Sequence, residues 1–146
     1  MPQNLGKALL YGFVIWSIGF IWGSVVFTVP QLKDIPSIAY VSGYPAISFP
    51  LLIAYPFLAS LYTRNYLKSV GNKVGEGLRL GIAMGLVNLI LDVLVLVLVF
   101  KNGLSYFASL TVLLGYAIMV VIPARVGKTF QTETPASQEG QTRRNK

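Results

Sequence analysis

The stretch that decides the fold is residues 77–100, which read GLRLGIAMGLVNLILDVLVLVLVF. Apart from Arg79 near its start and Asp92, the stretch carries no charge. A helix needs about 20 such residues to cross a bilayer, whereas a β-strand in a soluble domain is much shorter. These residues therefore predict a transmembrane helix that is interrupted by one carboxylate.

Three further apolar stretches accompany this helix, two before it and one after it. The four predicted spans cover about residues 8–29, 44–63, 77–100 and 104–123. The first carries no charge and is too long for the apolar part of a signal peptide, so we expect it to be retained. The second holds Pro45, Pro50 and Pro56, which predict a bent helix. The sequence thus predicts an all-α polytopic membrane protein, an antiparallel four-transmembrane-helix bundle.

Composition favours a membrane environment and excludes several kinds of chemistry. Hydrophobic residues make up 54% of the 146 residues and charged residues only 12%, about half the usual charged share. The chain has no cysteine and no histidine, which excludes a thiol redox centre, an ordinary zinc site and a Ser-His-Asp triad. We therefore expect no catalytic residues, no enzymatic activity, no metal and no cofactor.

The net charge of +7 is distributed as membrane topology requires. Seven basic residues lie near span ends on the side of the two termini: Lys7, Arg64, Lys68, Lys73, Arg79, Arg125 and Lys128. Only Lys33 and Lys101 lie on the opposite side, so we expect both termini to be cytoplasmic. No basic stripe lies on a soluble domain, so we expect no nucleic-acid partner. After a transmembrane domain at residues 1–126, the polar, basic residues 127–146 predict a disordered cytoplasmic tail.

Asp92 is the main candidate for a functional residue. A carboxylate near the middle of a span costs about 2.5–3.5 kcal/mol to insert, and Asn88 lies one turn earlier on the same face. Two interpretations remain open, a site for a proton, a cation or a polar headgroup, and a structural hydrogen bond between helices. The hydroxyl groups that could complete a polar pocket belong to Ser48, Tyr55, Thr111 and Tyr116.

Glycines at intervals of four line the face of the third predicted helix that also carries Asp92. They are Gly77, Gly81 and Gly85. Small residues let another helix backbone approach closely, and the first predicted helix has a comparable stripe. That stripe consists of Gly12, Trp16, Gly19 and Gly23. We therefore expect the first and third helices to pack together, the alternative being that glycine is simply frequent in membrane helices.

Four charged residues near the cytoplasmic ends of the second and third helices are candidates for the membrane surface: Arg64, Lys68, Glu76 and Arg79. Glu76 lies where the helix dipole favours an anion, and Arg79 is close enough along the helix to pair with it. A cap and a snorkelling arginine would explain this pair, and a gate or a headgroup contact is the functional alternative. Arg64 and Lys68 would attract anionic lipid, although topology alone also requires basic residues there.

Short motifs recur in a fixed order along the chain. Residues 7–16 read KALLYGFVIW, the third helix carries Glu76-Gly77-Leu78, Gly81, Asn88-Leu89 and Asp92, and Tyr116 and Ile122-Pro123 mark the fourth. Over most of residues 7–125 the chain resembles a family of small, uncharacterised four-helix prokaryotic integral membrane proteins. The resemblance implies four spans in a prokaryotic inner membrane and brings no known activity. The dense prolines of the second helix and the basic tail depart from the family pattern.

Two functions agree with these observations. The first is a non-enzymatic accessory, assembly or scaffold module in the lipid bilayer, with another membrane protein or a second copy as its partner. The alternative is a small proton- or cation-coupled transporter in which Asp92 binds the ion. A lipid-modifying enzyme has less support, because Asp34, Glu76 and Asp92 are too dispersed in depth to form one site.

Overall fold

The computed structural model describes residues 1–29, 45–101 and 103–144, and within them the chain is helical. Its four α-helices are α1 (Leu5–Phe27), α2 (Pro45–Leu67), α3 (Lys73–Leu91) and α4 (Leu110–Arg144). A π-helix at Asp92–Val99 continues α3, and a 3₁₀ helix at Leu104–Ala108 precedes α4. The predicted all-α class is confirmed. The predicted loop with Lys33 and Asp34 lies outside the described residues.

Three helical segments are long and apolar enough to cross a membrane. They are Leu5–Val26, Lys73–Val99 and Leu110–Gln131, which correspond to the first, third and fourth predicted spans. Over the residues that the structure describes, α2 does not reach the same standard. Its 23 residues give α2 the length of a span as well. The second span therefore stays a prediction.

Asparagine caps place the starts of α1 and α3 earlier than predicted. The Asn4 Oδ1 accepts the Lys7 N–H at 3.1 Å, and the Asn72 Oδ1 accepts the Gly75 N–H at 3.0 Å. The N–H groups in the first turn of a helix have no acceptor within the helix, and each cap supplies an acceptor for one of them. The predicted starts followed hydropathy alone, which does not detect a polar first turn.

Helices α3 and α4 pack closely along the glycines of α3. Gly77 lies against the backbone of Pro123, and Gly81 lies against the backbone of Met119 and Val120. Residue numbers therefore rise along α3 as they fall along α4, so these two helices run antiparallel. The stripe was expected to face α1, but α4 occupies it, because the short connection at residues 100–109 returns the chain directly onto α3.

The glycines of α1 divide between two neighbours. Gly12 lies against Val87 and Met84 of α3, so the expected packing of α1 on α3 occurs there. Gly19 instead lies against the hydroxyl end of Tyr55 from α2. Helix α1 therefore lies between α2 and α3, and its stripe of small residues serves both contacts.

The fourth helix differs from the prediction at both ends. Leu104–Ala108 form a 3₁₀ turn, and Ser109 is extended, so α4 begins at Leu110 and not at residue 104. At the other end, the helix continues to Arg144, whereas a disordered tail was predicted from residue 127. Val126 and Phe130 pack against the buried core and extend the apolar face of α4 beyond Pro123. The predicted end at Pro123 overlooked this continued face.

Candidate functional site

Asp92 lies at the junction where α3 changes from an α-helix to a π-helix. It is the first π-helical residue, and only 8% of it is exposed. The wider hydrogen-bonding pattern is visible at the end of this segment, where the Phe100 N–H donates to the Val95 carbonyl at 3.0 Å. Single π-helical turns inside α-helices occur frequently at functional sites. This change of helix type marks Asp92 independently of its charge.

Three side chains from different parts of the fold donate hydrogen bonds to the Asp92 carboxylate. The Trp16 Nε1–H of α1 donates to Oδ1 at 2.8 Å. The Tyr116 hydroxyl of α4 donates to Oδ2, and the Tyr106 hydroxyl of the 3₁₀ helix lies 3.5 Å from the same oxygen. The carboxylate therefore connects α1, α3, α4 and the segment that precedes α4.

Only one of these donors was proposed from the sequence. Tyr116 was one of four hydroxyl groups considered, whereas Trp16 and Tyr106 were not assigned as partners of Asp92. A signal for Trp16 was present, because a buried indole usually needs an acceptor and Trp16 lies in the glycine stripe of α1. Tyr106 had no such signal, since the 3₁₀ turn that positions it departs from the predicted α-helix.

Asn88 lies one turn before Asp92 and is 3% exposed. Its Nδ2 donates to the Gly12 carbonyl at 3.0 Å and to the Met84 carbonyl at 2.9 Å. Both amide hydrogens are therefore used, one of them between α3 and α1. Its Oδ1 accepts no hydrogen bond from the residues that the structure describes.

A cavity of about 90 Å³ adjoins both polar residues. All four hydroxyl-bearing residues proposed from the sequence line it, namely Ser48, Tyr55, Thr111 and Tyr116. The walls also include six aromatic side chains, Trp16, Phe20, Trp22, Tyr55, Tyr106 and Tyr116. Among the described residues that line this cavity, Asp92 is the only acidic residue, and none is basic. The walls thus combine one carboxylate with aromatic rings and hydroxyl groups.

Helices α1 and α2 are joined beside the cavity by a second indole. The Trp22 Nε1–H donates to the Ile47 carbonyl at 3.0 Å. Pro50 and Pro56 lie inside α2 and supply no backbone N–H, so they leave two carbonyls without their usual partner in the helix. The Trp22 side chain of α1 is thus bound to the backbone of α2 beside the cavity.

The predicted membrane-surface residues form a separate cluster. Glu76 is fully buried and accepts hydrogen bonds from the Gln3 N–H at 2.7 Å, the Tyr66 hydroxyl at 2.8 Å and Arg79 at 2.9 Å. Arg64 and Lys68 are exposed at the end of α2. The Glu76 cluster thus fastens the N-terminal residues to α2 and α3.

The fold and the site together define a class of protein: a helical chain with three segments able to cross a membrane and a buried carboxylate beside an aromatic cavity. No protein-family model, curated protein or solved structure matches the chain. The chemistry of the site therefore has to be argued from its own residues.

Proposed function

We propose that the chain is an integral membrane protein of four antiparallel spans, in a prokaryotic inner membrane, with both termini in the cytoplasm. Three segments able to cross a membrane and the concentration of basic residues on one side support this topology. Helix α2 would be the remaining span. Its 23 residues correspond to about 34 Å of helix, which exceeds the thickness of the hydrocarbon core.

Single introduced cysteines test this topology, because the natural chain has none. Gly71→Cys places a thiol in open space, and a Cβ at Gly6 meets only the Asn4 Oδ1 at 3.9 Å. Ser105→Cys replaces an exposed residue beyond α3. With an impermeant maleimide on intact cells, we expect labelling of Ser105→Cys alone. The other two variants should react only after permeabilisation. Labelling of Gly6→Cys and Gly71→Cys from opposite sides would show that α2 does not span.

We propose further that this protein is a small proton- or cation-coupled transporter in which Asp92 is the coupling residue. The observation that carries the proposal is a buried carboxylate facing a cavity in the interior of the helices. A carboxylate has about four lone-pair sites, and the three donors present leave Oδ1 able to accept from a bound ion. Ionisable groups inside membrane segments commonly mark ion pathways.

Proton flux into proteoliposomes tests this role. Vesicles loaded with a pH-sensitive dye and energised by a potassium diffusion potential should acidify when they contain the natural protein. Asp92→Asn keeps the shape and an acceptor oxygen but removes the charge, so we expect the flux to be abolished while the protein stays folded. Ser17→Ala is the matched control, since Ser17 donates only to the Phe13 carbonyl of its own helix. Equal flux in Asp92→Asn and the natural protein would overturn the proposal.

A non-enzymatic accessory, assembly or scaffold role is the second candidate. The donors Trp16, Tyr106 and Tyr116 give Asp92 a structural task that needs no ligand. A partner would have to bind elsewhere than the glycine stripe of α3, because α4 fills it. Stoichiometric co-purification of another membrane protein after gentle detergent extraction, together with absent proton flux, would favour this role.

A further inference from the structure

Some residues that line the cavity carry hydrogen-bond acceptors for which the described part of the chain supplies no donor. Asn88 is only 3% exposed, and its Oδ1 accepts no hydrogen bond from the described part of the chain. A buried carbonyl oxygen without a donor is unusual in a folded protein, and each case calls for a bound partner or another explanation. The missing partner has to donate a hydrogen bond.

Two more acceptors lie along the same cavity. Asp92 Oδ1 accepts one hydrogen bond, from Trp16, and keeps a free lone-pair direction. The Tyr55 hydroxyl lies over Gly19 and forms no hydrogen bond with any residue that the structure describes. Asn88 and Asp92 are four residues apart on one helix face, and both residues line this cavity. A group with several N–H donors fits this set.

The remaining wall indicates that the donor is a cation. Aromatic faces attract cations, and Trp16, Phe20 and Trp22 all line the cavity. No basic residue among the described lining competes for Asp92. A divalent metal is disfavoured, because such ions prefer several oxygen ligands that carry charge and the lining holds one carboxylate.

We propose that the cavity binds a small primary ammonium ion, with Asp92 as the counter-charge and Asn88 as an N–H acceptor. The proposal rests on the cation site proposed above and specifies its ligand. A primary ammonium carries three N–H donors and is protonated at pH 7, as a lysine is. A quaternary ammonium has no N–H and would leave the Asn88 carbonyl unpaired. The volume of about 90 Å³ limits the ligand to a few non-hydrogen atoms.

The protein contains its own probe for this test. Its two tryptophans, Trp16 and Trp22, both line the cavity, so tryptophan fluorescence excited at wavelengths that tyrosine does not absorb reports on this site. The purified full chain in lipid nanodiscs is titrated with ethylammonium, tetramethylammonium and sodium chlorides at constant ionic strength. We expect a saturable change with ethylammonium and binding at least about tenfold weaker for tetramethylammonium, because a site that pairs an N–H rejects ligands lacking it.

Two variants test whether Asn88 and Tyr55 cause the preference for ethylammonium over tetramethylammonium. Asn88→Ala should reduce the preference for ethylammonium to less than about twofold, since the unpaired carbonyl that penalises tetramethylammonium is gone. Because Asn88 also joins α3 to α1, thermal unfolding of the Asn88→Ala variant is recorded by circular dichroism to show that it is folded. Tyr55→Phe removes only a hydroxyl and should weaken ethylammonium binding while the fold is retained. Unchanged preference in folded Asn88→Ala would overturn the assignment of Asn88.

The outcomes separate this inference from the proposed function. Equal binding of the two ammonium ions would overturn the primary-ammonium assignment and leave the cation site standing. Absence of any fluorescence change, with proton flux that depends on Asp92, would overturn the ligand class and leave the transporter. Ethylammonium binding that needs Asn88, without proton flux, would support the ligand and overturn transport.

Discussion

Gly81→Ala is expected to destabilise the protein, although alanine is the better helix former. A Cβ at Gly81 would lie 2.8 Å from the Met119 carbonyl oxygen and 3.0 Å from the Val120 Cα. Both are backbone atoms, so α4 as a whole has to move to relieve the contact. Overpacking of this kind costs about 1–3 kcal/mol, which exceeds the roughly 1 kcal/mol gained in helix propensity. The net loss should appear as a lower unfolding midpoint in mixed detergent micelles.

Gly85→Ala is the matched control on the same helix, one turn later. Its nearest neighbour would be the Val120 Cγ2 at 3.7 Å, an ordinary van der Waals distance. Without a clash, the gain in helix propensity should leave the unfolding free energy unchanged or raise it by up to about 1 kcal/mol. If Gly81→Ala and Gly85→Ala unfold at the same midpoint, the close packing of α3 on α4 is contradicted.

Asp92→Ala is expected to lower the unfolding free energy by about 1–3 kcal/mol. The substitution removes the acceptor for the Trp16 indole and the Tyr116 hydroxyl, and unpaired buried donors cost about 1–3 kcal/mol each in soluble proteins and less in membranes. Reversible unfolding in mixed micelles, followed by circular dichroism, measures the loss. Tryptophan fluorescence of the folded state should also change, because Trp16 loses its partner.

Two further variants test whether the loss in Asp92→Ala comes from its hydrogen bonds. Tyr116→Phe removes one donor and leaves Trp16 paired, so its loss should be smaller than that of Asp92→Ala. Asp92→Asn retains an acceptor and should also lose less, which is why it suits the transport assay. An Asp92→Ala variant as stable as the natural protein would show that the carboxylate does not hold the helices together.

Features that lie within one helix could be predicted from the sequence. Helical periodicity places Asn88, Asp92 and the glycines of α3 on related faces, whatever the neighbouring helix is. Length and hydropathy identified the three segments able to cross a membrane, because the bilayer imposes both requirements. The hydroxyl groups near Asp92 were also predictable, since few polar residues lie at a comparable position along the other helices.

Features that depend on which helices meet could not be predicted in the same way. The glycine stripe of α3 is compatible with any closely approaching backbone, and nothing in one sequence distinguishes α1 from α4 as its neighbour. The role of Tyr106 depends on a 3₁₀ turn, and the π-helix after Leu91 has no local sequence signal among the leucines and valines. The continuation of α4 depends on packing by Val126 and Phe130, which hydropathy does not detect.

The π-helix also affects how the segment Lys73–Val99 would match the thickness of a bilayer. The segment Lys73–Val99 has 27 residues, which as a straight α-helix would extend about 40 Å, against about 30 Å of hydrocarbon. Hydrogen bonds from residue i to i+5 place more residues in each turn, so the chain advances less per residue over Asp92–Val99. This shortening absorbs part of the hydrophobic mismatch inside the helix. In a bilayer, less tilt and less local thickening would then be needed to accommodate this segment.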